Sequence, residues 1–283
     1  MPVKAQTRSS KSAPAIRVCG LSKRYRVAGT FFQGRRELVA VSEVSFEIEA
    51  GKTLALIGSS GSGKSTLARC VTRLEKADEG EIWLGDTEIS RLRSRDLFPI
   101  RRKIQMIFQD PILSMNPRMS ALQVIEEPLL IQQGGTRQER RDCAAALMRD
   151  VGLSSDSLGR RITEFSGGQR QRIAIARALI LKPNCLVLDE ALSGLDLGTQ
   201  LQIADLLLQL QAAHSLTYLL ISHDLKLVAR LADSIAIMAA GRIVEQGPAG
   251  EILSDPRQAQ TQALVSSAER LQSALSAARG TSV

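Results

Sequence analysis

The sequence predicts an α/β fold in which a mostly parallel sheet carries an antiparallel flank and an inserted helical subdomain. Three observations predict it. Continuous apolar runs at Thr53-Leu-Ala-Leu-Ile57, Cys185-Leu-Val-Leu188 and Tyr218-Leu-Leu-Ile221 read as strands buried on both faces. A helical pattern precedes each of the last two, and such β-α-β alternation builds a parallel sheet. Residues 110–165 change character: Ala, Leu, Glu, Arg and Gln dominate, as in Arg140 to Val151, so this stretch is expected to be helical.

The remaining elements follow in order. Residues 1–15 are rich in Ser, Lys and Ala and are expected to be a disordered arm. Strand patterns begin at Ile16. Val44, Phe46 and Ile48 alternate with Ser45, Glu47 and Glu49, the signature of a half-buried strand. After the run at 53–57 a helix is expected from about Gly63, with Leu67, Val71 and Leu74 on one stripe. Glu81 to Ile89, containing Trp83 and Gly85-Asp86, reads as a hairpin at a sheet edge. Ile235 to Met238, Gly241 and Arg242 to Glu245 read as a closing hairpin. The main domain is thus expected over 16–253, with a helical tail over 254–283 in which 257–279 form a helix with a frayed end. No internal repeat is present, and each motif below occurs once.

Composition bounds the function. At 283 residues and 44% hydrophobic the chain can bury a full core but not two large domains. No apolar run approaches the roughly 18 to 20 residues that span a bilayer, and the opening lacks an apolar signal core, so no secretory leader is expected. Four scattered cysteines (Cys19, Cys70, Cys143, Cys185) without a CxxC pair, and two histidines, argue against a disulfide framework or a zinc site. Cys70 and Cys185 read as core residues and His214 as an exposed loop residue. The net charge of +8 sits in residues 1–40, which hold nine Lys/Arg against one acid; the rest is neutral. A short basic arm on a neutral body is a solvated tail or a contact to anionic lipid head groups, and no nucleic-acid partner is expected.

The strongest local signal is Gly58-Ser59-Ser60-Gly61-Ser62-Gly63-Lys64-Ser65-Thr66, a GxxxxGK[ST] match between an expected strand and an expected helix, the context that identifies a P-loop. Glycines admit loop conformations that side chains block, so backbone N–H groups converge on phosphates at a helix N-terminus. Lys64 is expected on the β/γ-phosphates and Ser65 on Mg²⁺. The second signal is the strand ending in Asp189-Glu190, at the end of a parallel strand that faces the ligand crevice. Asp189 is expected to support the metal and Glu190 to act as general base toward water. A third signal, Phe165-Ser166-Gly167-Gly168-Gln169-Arg-Gln-Arg172, opens a helix from about Gln169 and offers a second anion-binding turn. One chain does not need two such devices for one phosphate; two chains meeting head to tail do.

These residues, from about Ile16 to Leu264, resemble the nucleotide-binding domains of ABC transporters. SSGSGKST is similar to the Walker A motif, LVLDE to the Walker B and FSGGQRQR to the ABC signature. Gln109 in FQDP is similar to the Q-loop glutamine, Ser193-Gly-Leu-Asp196 to the D-loop and His223 in ISHDL to the switch histidine. The resemblance implies a RecA-like P-loop NTPase core with an antiparallel β subdomain and an inserted helical subdomain (about 110–165) that receives the membrane subunits. It further implies ATP and Mg²⁺ as cofactors and hydrolysis at composite sites between two chains. Catalysis falls to Glu190, His223, Lys64 and Gln109; the metal to Ser65, Gln109 and Asp189; nucleotide contact to Tyr25, Gly58–Thr66 and Ser166-Gly167-Gly168-Gln169. Tyr25 would stack on adenine, although an aromatic there also suits edge-strand packing, and Asp196 would act across the dimer interface. The implied partners are two transmembrane permease subunits, a second ATPase subunit (a different chain, or a second copy) and indirectly a periplasmic or lipid-anchored solute-binding protein. The implied place is the cytoplasmic face of the inner membrane. Phe108 to Arg118, the insertion at about 27–39 and Glu164-Phe165 resemble oligopeptide, dipeptide and nickel importer ATPases. Ala191-Leu192 after Glu190, and the lack of a Cys-rich tail, depart from the peptide type and lean toward nickel or a metal chelate. The rival reading is a soluble ABC ATPase acting on DNA or ribosomes.

Overall fold

The computed structural model describes residues 14–27, 36–110 and 115–267. The expected basic arm, most of the insertion at 27–39, Pro111 to Ser114 and the end of the expected tail helix lie outside them.

Two sheets form the frame. The antiparallel sheet runs β2-β1-β4-β5, from β1 (Ile16–Val27), β2 (Arg36–Ile48), β4 (Glu79–Leu84) and β5 (Thr87–Glu88). The six-stranded sheet runs β10-β9-β3-β8-β7-β6, from β3 (Thr53–Ile57), β6 (Ile104–Ile107), β7 (Cys185–Asp189), β8 (Thr217–Ile221), β9 (Ser234–Ala239) and β10 (Arg242–Pro248). Its strands are parallel except β10. Register puts the C-terminal ends of β3, β6, β7 and β8 on one edge: Leu56 lies beside Ile221, Asp189 beside Ile221 and Ile107 beside Leu188.

The interiors of the central strands are apolar because two cores share them, with polar residues only at their ends: Thr53, Asp189 and Thr217. In β7, Leu186 and Leu188 join a core under the helices, while Cys185 and Val187 join a core against the antiparallel sheet. β3 and β8 alternate in the same way: Ala55, Ile57, Tyr218 and Leu220 face one side, Leu54, Leu56, Leu219 and Ile221 the other. A period of two with both faces covered leaves no polar position in the strand interiors.

The helices are α1 (Lys64–Val71), α2 (Ile100–Lys103), α3 (Ala121–Ile131), α4 (Arg137–Asp150), α5 (Gly167–Leu179), α6 (Leu197–His214), α7 (Leu225–Leu231) and α8 (Ala249–Ser254), with short 3₁₀ turns at Ser155–Gly159 and Ile162–Glu164. Residues 259–267 are also helical. Helices α3, α4 and α5 pack together, pinned by Arg177–Glu127 at 2.7 Å and Arg140–Glu126 at 3.2 Å. Ser120 and Thr136 start α3 and α4 with capping boxes, in which a side-chain oxygen satisfies an orphan N–H of the first turn.

Three expectations are corrected. Leu74 lies beyond α1 and is 53% exposed, because the helix ends at Val71 and Arg73 turns left-handed at φ 55°. His214 is exposed, but it ends α6 instead of sitting in a loop; Ser215 takes the left-handed cap after it. Helix α5 begins at Gly167, two residues before the expected start. Ser166 is its N-cap: its Oγ accepts from Gln169 N at 3.3 Å, and the Gln169 side chain accepts from Ser166 N at 2.9 Å. Cys70 and Cys185 are core residues as expected, and burial pushes both thiols up to about 12. Among the described residues no helix is long and apolar enough to cross a membrane.

Candidate nucleotide site

The loop after β3 is shaped by what flanks it. A side chain at Gly58 would meet the Met238 carbonyl oxygen of β9 at 2.1 Å, and one at Gly63 would meet the Ala40 carbonyl oxygen of β2 at 2.1 Å. Gly63 also stands at φ 105°, where glycine alone is comfortable. The loop is thus wedged between two strands, and Gly241 N donates to Ser62 O at 3.0 Å to close it. What remains is a coil of backbone leading into α1.

Lys64 is buried within this coil, and its Nζ donates to Gly58 O at 2.8 Å and Ser59 O at 2.9 Å. Burial pulls its pKa below the ordinary lysine value, while Glu190 and Asp189 pull it back up. Ser65 Oγ donates to Asp189 Oδ1 at 3.0 Å. Burial raises the Asp189 carboxyl above the usual range; the Ser65 hydrogen bond opposes this, Glu190 adds to it, and Arg69 and Lys64 oppose it.

Glu190 follows at φ 48°, a left-handed conformation that costs a non-glycine residue roughly 1–3 kcal/mol. The position is held from both sides. Glu190 N donates to Ile221 O at 3.0 Å, and the Glu190 carbonyl accepts from Ser193 N at 3.0 Å and Ser193 Oγ at 2.8 Å. This turns the Glu190 carboxylate toward the loop after β8, where Oε2 lies 3.6 Å from His223 Nδ1. His223 is 65% exposed against 25% for Glu190, so the imidazole is the open member of the pair.

A cavity of about 1130 Å³ brings Ser65, Asp189, Gln109 and His223 together with Gly167 of α5 and the Ser193–Leu195 turn. Tyr25 lies beside the loop: burial raises its hydroxyl first and Glu75 adds to this, while a hydrogen bond with Thr66 of the motif lowers it. Lys23 Nζ stands 5.3 Å from the ring centroid. Ser166 and Gly167 are exposed, and the Ser166 hydroxyl engages its own helix cap. Asp196 is the N-cap of α6, accepting from Thr199 N at 3.0 Å and Thr199 Oγ1 at 2.6 Å; those bonds hold its carboxyl below the usual range. Arg69 and Gln171 also line the cavity, and neither was an expected site residue. Both sit four residues after one that was, Ser65 and Gly167, so a count along the helix face would have found them.

The donor set suits a nucleoside triphosphate and Mg²⁺. A glycine cradle whose Cβ space is filled by neighbouring backbone leaves its N–H groups at a helix start for phosphate oxygens. A hydroxyl and a carboxylate 3.0 Å apart are hard oxygen ligands of the kind Mg²⁺ takes beside substrate phosphates.

The profile described as ABC transporter matches residues 41–193. The chain is 42% identical over 254 residues to the probable peptide ABC transporter ATP-binding protein y4tS of Sinorhizobium fredii, covering 89% of this chain and 72% of that one. It is 42% identical over 258 residues to the dipeptide transport ATP-binding protein DppF of Escherichia coli, covering 91% and 77%. Among solved structures, a dimeric ATP-binding cassette in a post-hydrolysis state with ADP and phosphate superposes with a TM-score of 0.73 at 28% identity, covering 83% of this chain and 98% of that one.

Proposed function

The chain belongs to the ABC transporter family as an ATP-binding, ATP-hydrolysing subunit, and from that premise we propose that it energises peptide import at the cytoplasmic face of the inner membrane, paired with a second, different ATPase beneath two permease subunits. The observation that carries the site assignment is the single cavity that gathers Ser65, Asp189, Gln109 and His223, with Glu190 3.6 Å from His223.

In this reading the P-loop amides and Lys64 bind the phosphates, and Tyr25 stacks on the base. Ser65, Asp189 and Gln109 hold Mg²⁺, which when bound neutralises phosphate charge. Glu190 accepts the proton of the attacking water, a role worth about 10²–10⁴-fold. His223, with Nδ1 3.6 Å from that carboxylate, stands next to the base and would meet the γ-phosphate with its exposed ring. Ser166 to Gln169 and Asp196 serve the partner's nucleotide. The exposure of Ser166, which is not among the residues that line this chain's own cavity, supports this. Closure of two chains then completes the site and excludes water.

A second groove, of about 270 Å³, lies between the ATP-binding body and the helical segment, with Leu74, Phe108 and Ile131 on its walls. These are exposed at 53%, 38% and 60%, and they open beside Gln109. In this reading the permeases meet the chain at this groove and along Pro111 to Met119, of which 111–114 lie outside the described residues, and Arg160 to Glu164.

Peptide is preferred as cargo because the relatives above are named for peptide and dipeptide transport. Nickel or a metal chelate rests on Ala191-Leu192. Both are buried at 3% in the core beneath the helices, so their identity answers to packing around the Glu190 turn. The test is affinity purification from native membranes followed by mass spectrometry. Two membrane subunits and a second ATPase are expected; DNA-bound or ribosomal proteins in their place would overturn the reading.

A further inference from the structure

Helix α5 carries a polar side chain that the reading above leaves without a task. Gln171 is 1% exposed, and its Nε2 is buried with no hydrogen-bond partner among the described residues. A buried donor left unmade costs stability and calls for an explanation, one of which is a partner gained in another state.

The same cavity wall offers candidate acceptors. Gln171 lines the nucleotide cavity together with Ser193, Gly194 and Leu195. One turn earlier on the same helix face, a side chain at Gly167 would lie 3.5 Å from Leu195 Cδ2, so this loop already rides against the start of α5. Among the described residues the carbonyls of Ser193 and Gly194 accept no hydrogen bond. The same loop fixes the base: Ser193 N and Oγ both donate to the Glu190 carbonyl.

We infer that Gln171 is a positioning residue of the hydrolytic cycle: on nucleotide-driven closure its amide donates to the Ser193–Gly194 carbonyls and ties the helix that follows the signature to the turn that aims Glu190. The inference rests on ATP hydrolysis at this site. It assigns the amide a role in reaching the reactive arrangement, not in holding nucleotide, because Gln171 belongs to neither the phosphate cradle nor the Ser65–Asp189 pair.

The test uses the full chain and Gln171→Met, which keeps length and volume and removes the amide. Four quantities are read: kcat, KM for ATP, nucleotide binding and the Tm without nucleotide. A latch made only in the closed state predicts that kcat falls by at least about tenfold, the loss of one hydrogen bond made on the way to the transition state. KM and binding stay within about twofold in that case. It also predicts that Tm holds or rises, since an apolar isostere relieves an unmade bond. Gln171→Leu, which also removes the amide, should lower kcat likewise. An unchanged kcat in both variants overturns the inference. So does a Tm that falls together with kcat in Gln171→Met, which would mark Gln171 as a structural residue. A wild-type chain that hydrolyses no ATP would instead defeat the functional reading itself.

Discussion

At Glu190 the chain spends backbone strain to aim one carboxylate. The φ of 48° turns it away from the strand direction and toward His223, while Asp189, one residue earlier, stays in line and receives the Ser65 hydroxyl. Two adjacent acids thus reach different partners. Glu190→Gln keeps shape and hydrogen bonding but cannot accept a proton. Turnover should fall by about 10²–10⁴-fold while ATP binding persists, read by phosphate release and nucleotide titration; near wild-type turnover would remove Glu190 from its role. Lys64→Ala acts at the earlier step. Its ammonium serves bound substrate and transition state alike, so nucleotide binding itself should be lost, as fluorescence titration would show. The places of Lys64, Asp189 and Glu190 at the ends of β3 and β7 were legible because each stands in a motif with fixed spacing. Arg69 and Gln171 were missed because their one signal is spacing, one helical turn after Ser65 and Gly167.

Among the elements, the central strands were the most legible. Continuous apolar runs over 53–57, 185–188 and 218–221 correspond to β3, β7 and β8, since burial on both faces admits no polar residue. The four-residue edge strand β6 was hidden, because Arg101-Arg102-Lys103 precede it and only Ile104 and Ile107 are buried. The start of α5 was misplaced because glycines read as loop. Here they form the first helical turn, where the Ser166–Gln169 capping box supplies the order that glycine lacks. That helix start yields a prediction. Ser166→Arg should abolish hydrolysis while the isolated chain still binds ATP, because Ser166 faces outward and not onto its own P-loop. A variant that cannot bind ATP as a monomer would place this turn in its own site and sink the two-chain arrangement. At the other end of the cavity, Gly63→Ala should cost at least roughly 1–3 kcal/mol from φ alone, with the Ala40 carbonyl clash added. A Tm equal to wild type would contradict the wedged loop.

On the scale of the whole molecule, one edge of a parallel sheet collects the nucleotide chemistry, and the helices α3 to α5 carry it outward. Only one copy of each motif is present in this chain, so a sandwich of two sites takes two chains, and native purification should recover a second, different ATPase. Recovery of this chain alone with membrane subunits, at two to two, would mean a homodimer and leave the site chemistry intact. The cargo was not legible at any scale, because Ala191 and Leu192, the pair that pointed to nickel, are packing residues.

The central claim is that hydrolysis takes place at a site shared between two chains. The direct measurement is ATP turnover per chain as a function of chain concentration, with Glu190→Gln as the blank. A shared site predicts turnover that rises with concentration and then saturates as dimers fill. Turnover per chain that stays constant down to concentrations where size-exclusion shows only monomer would contradict it.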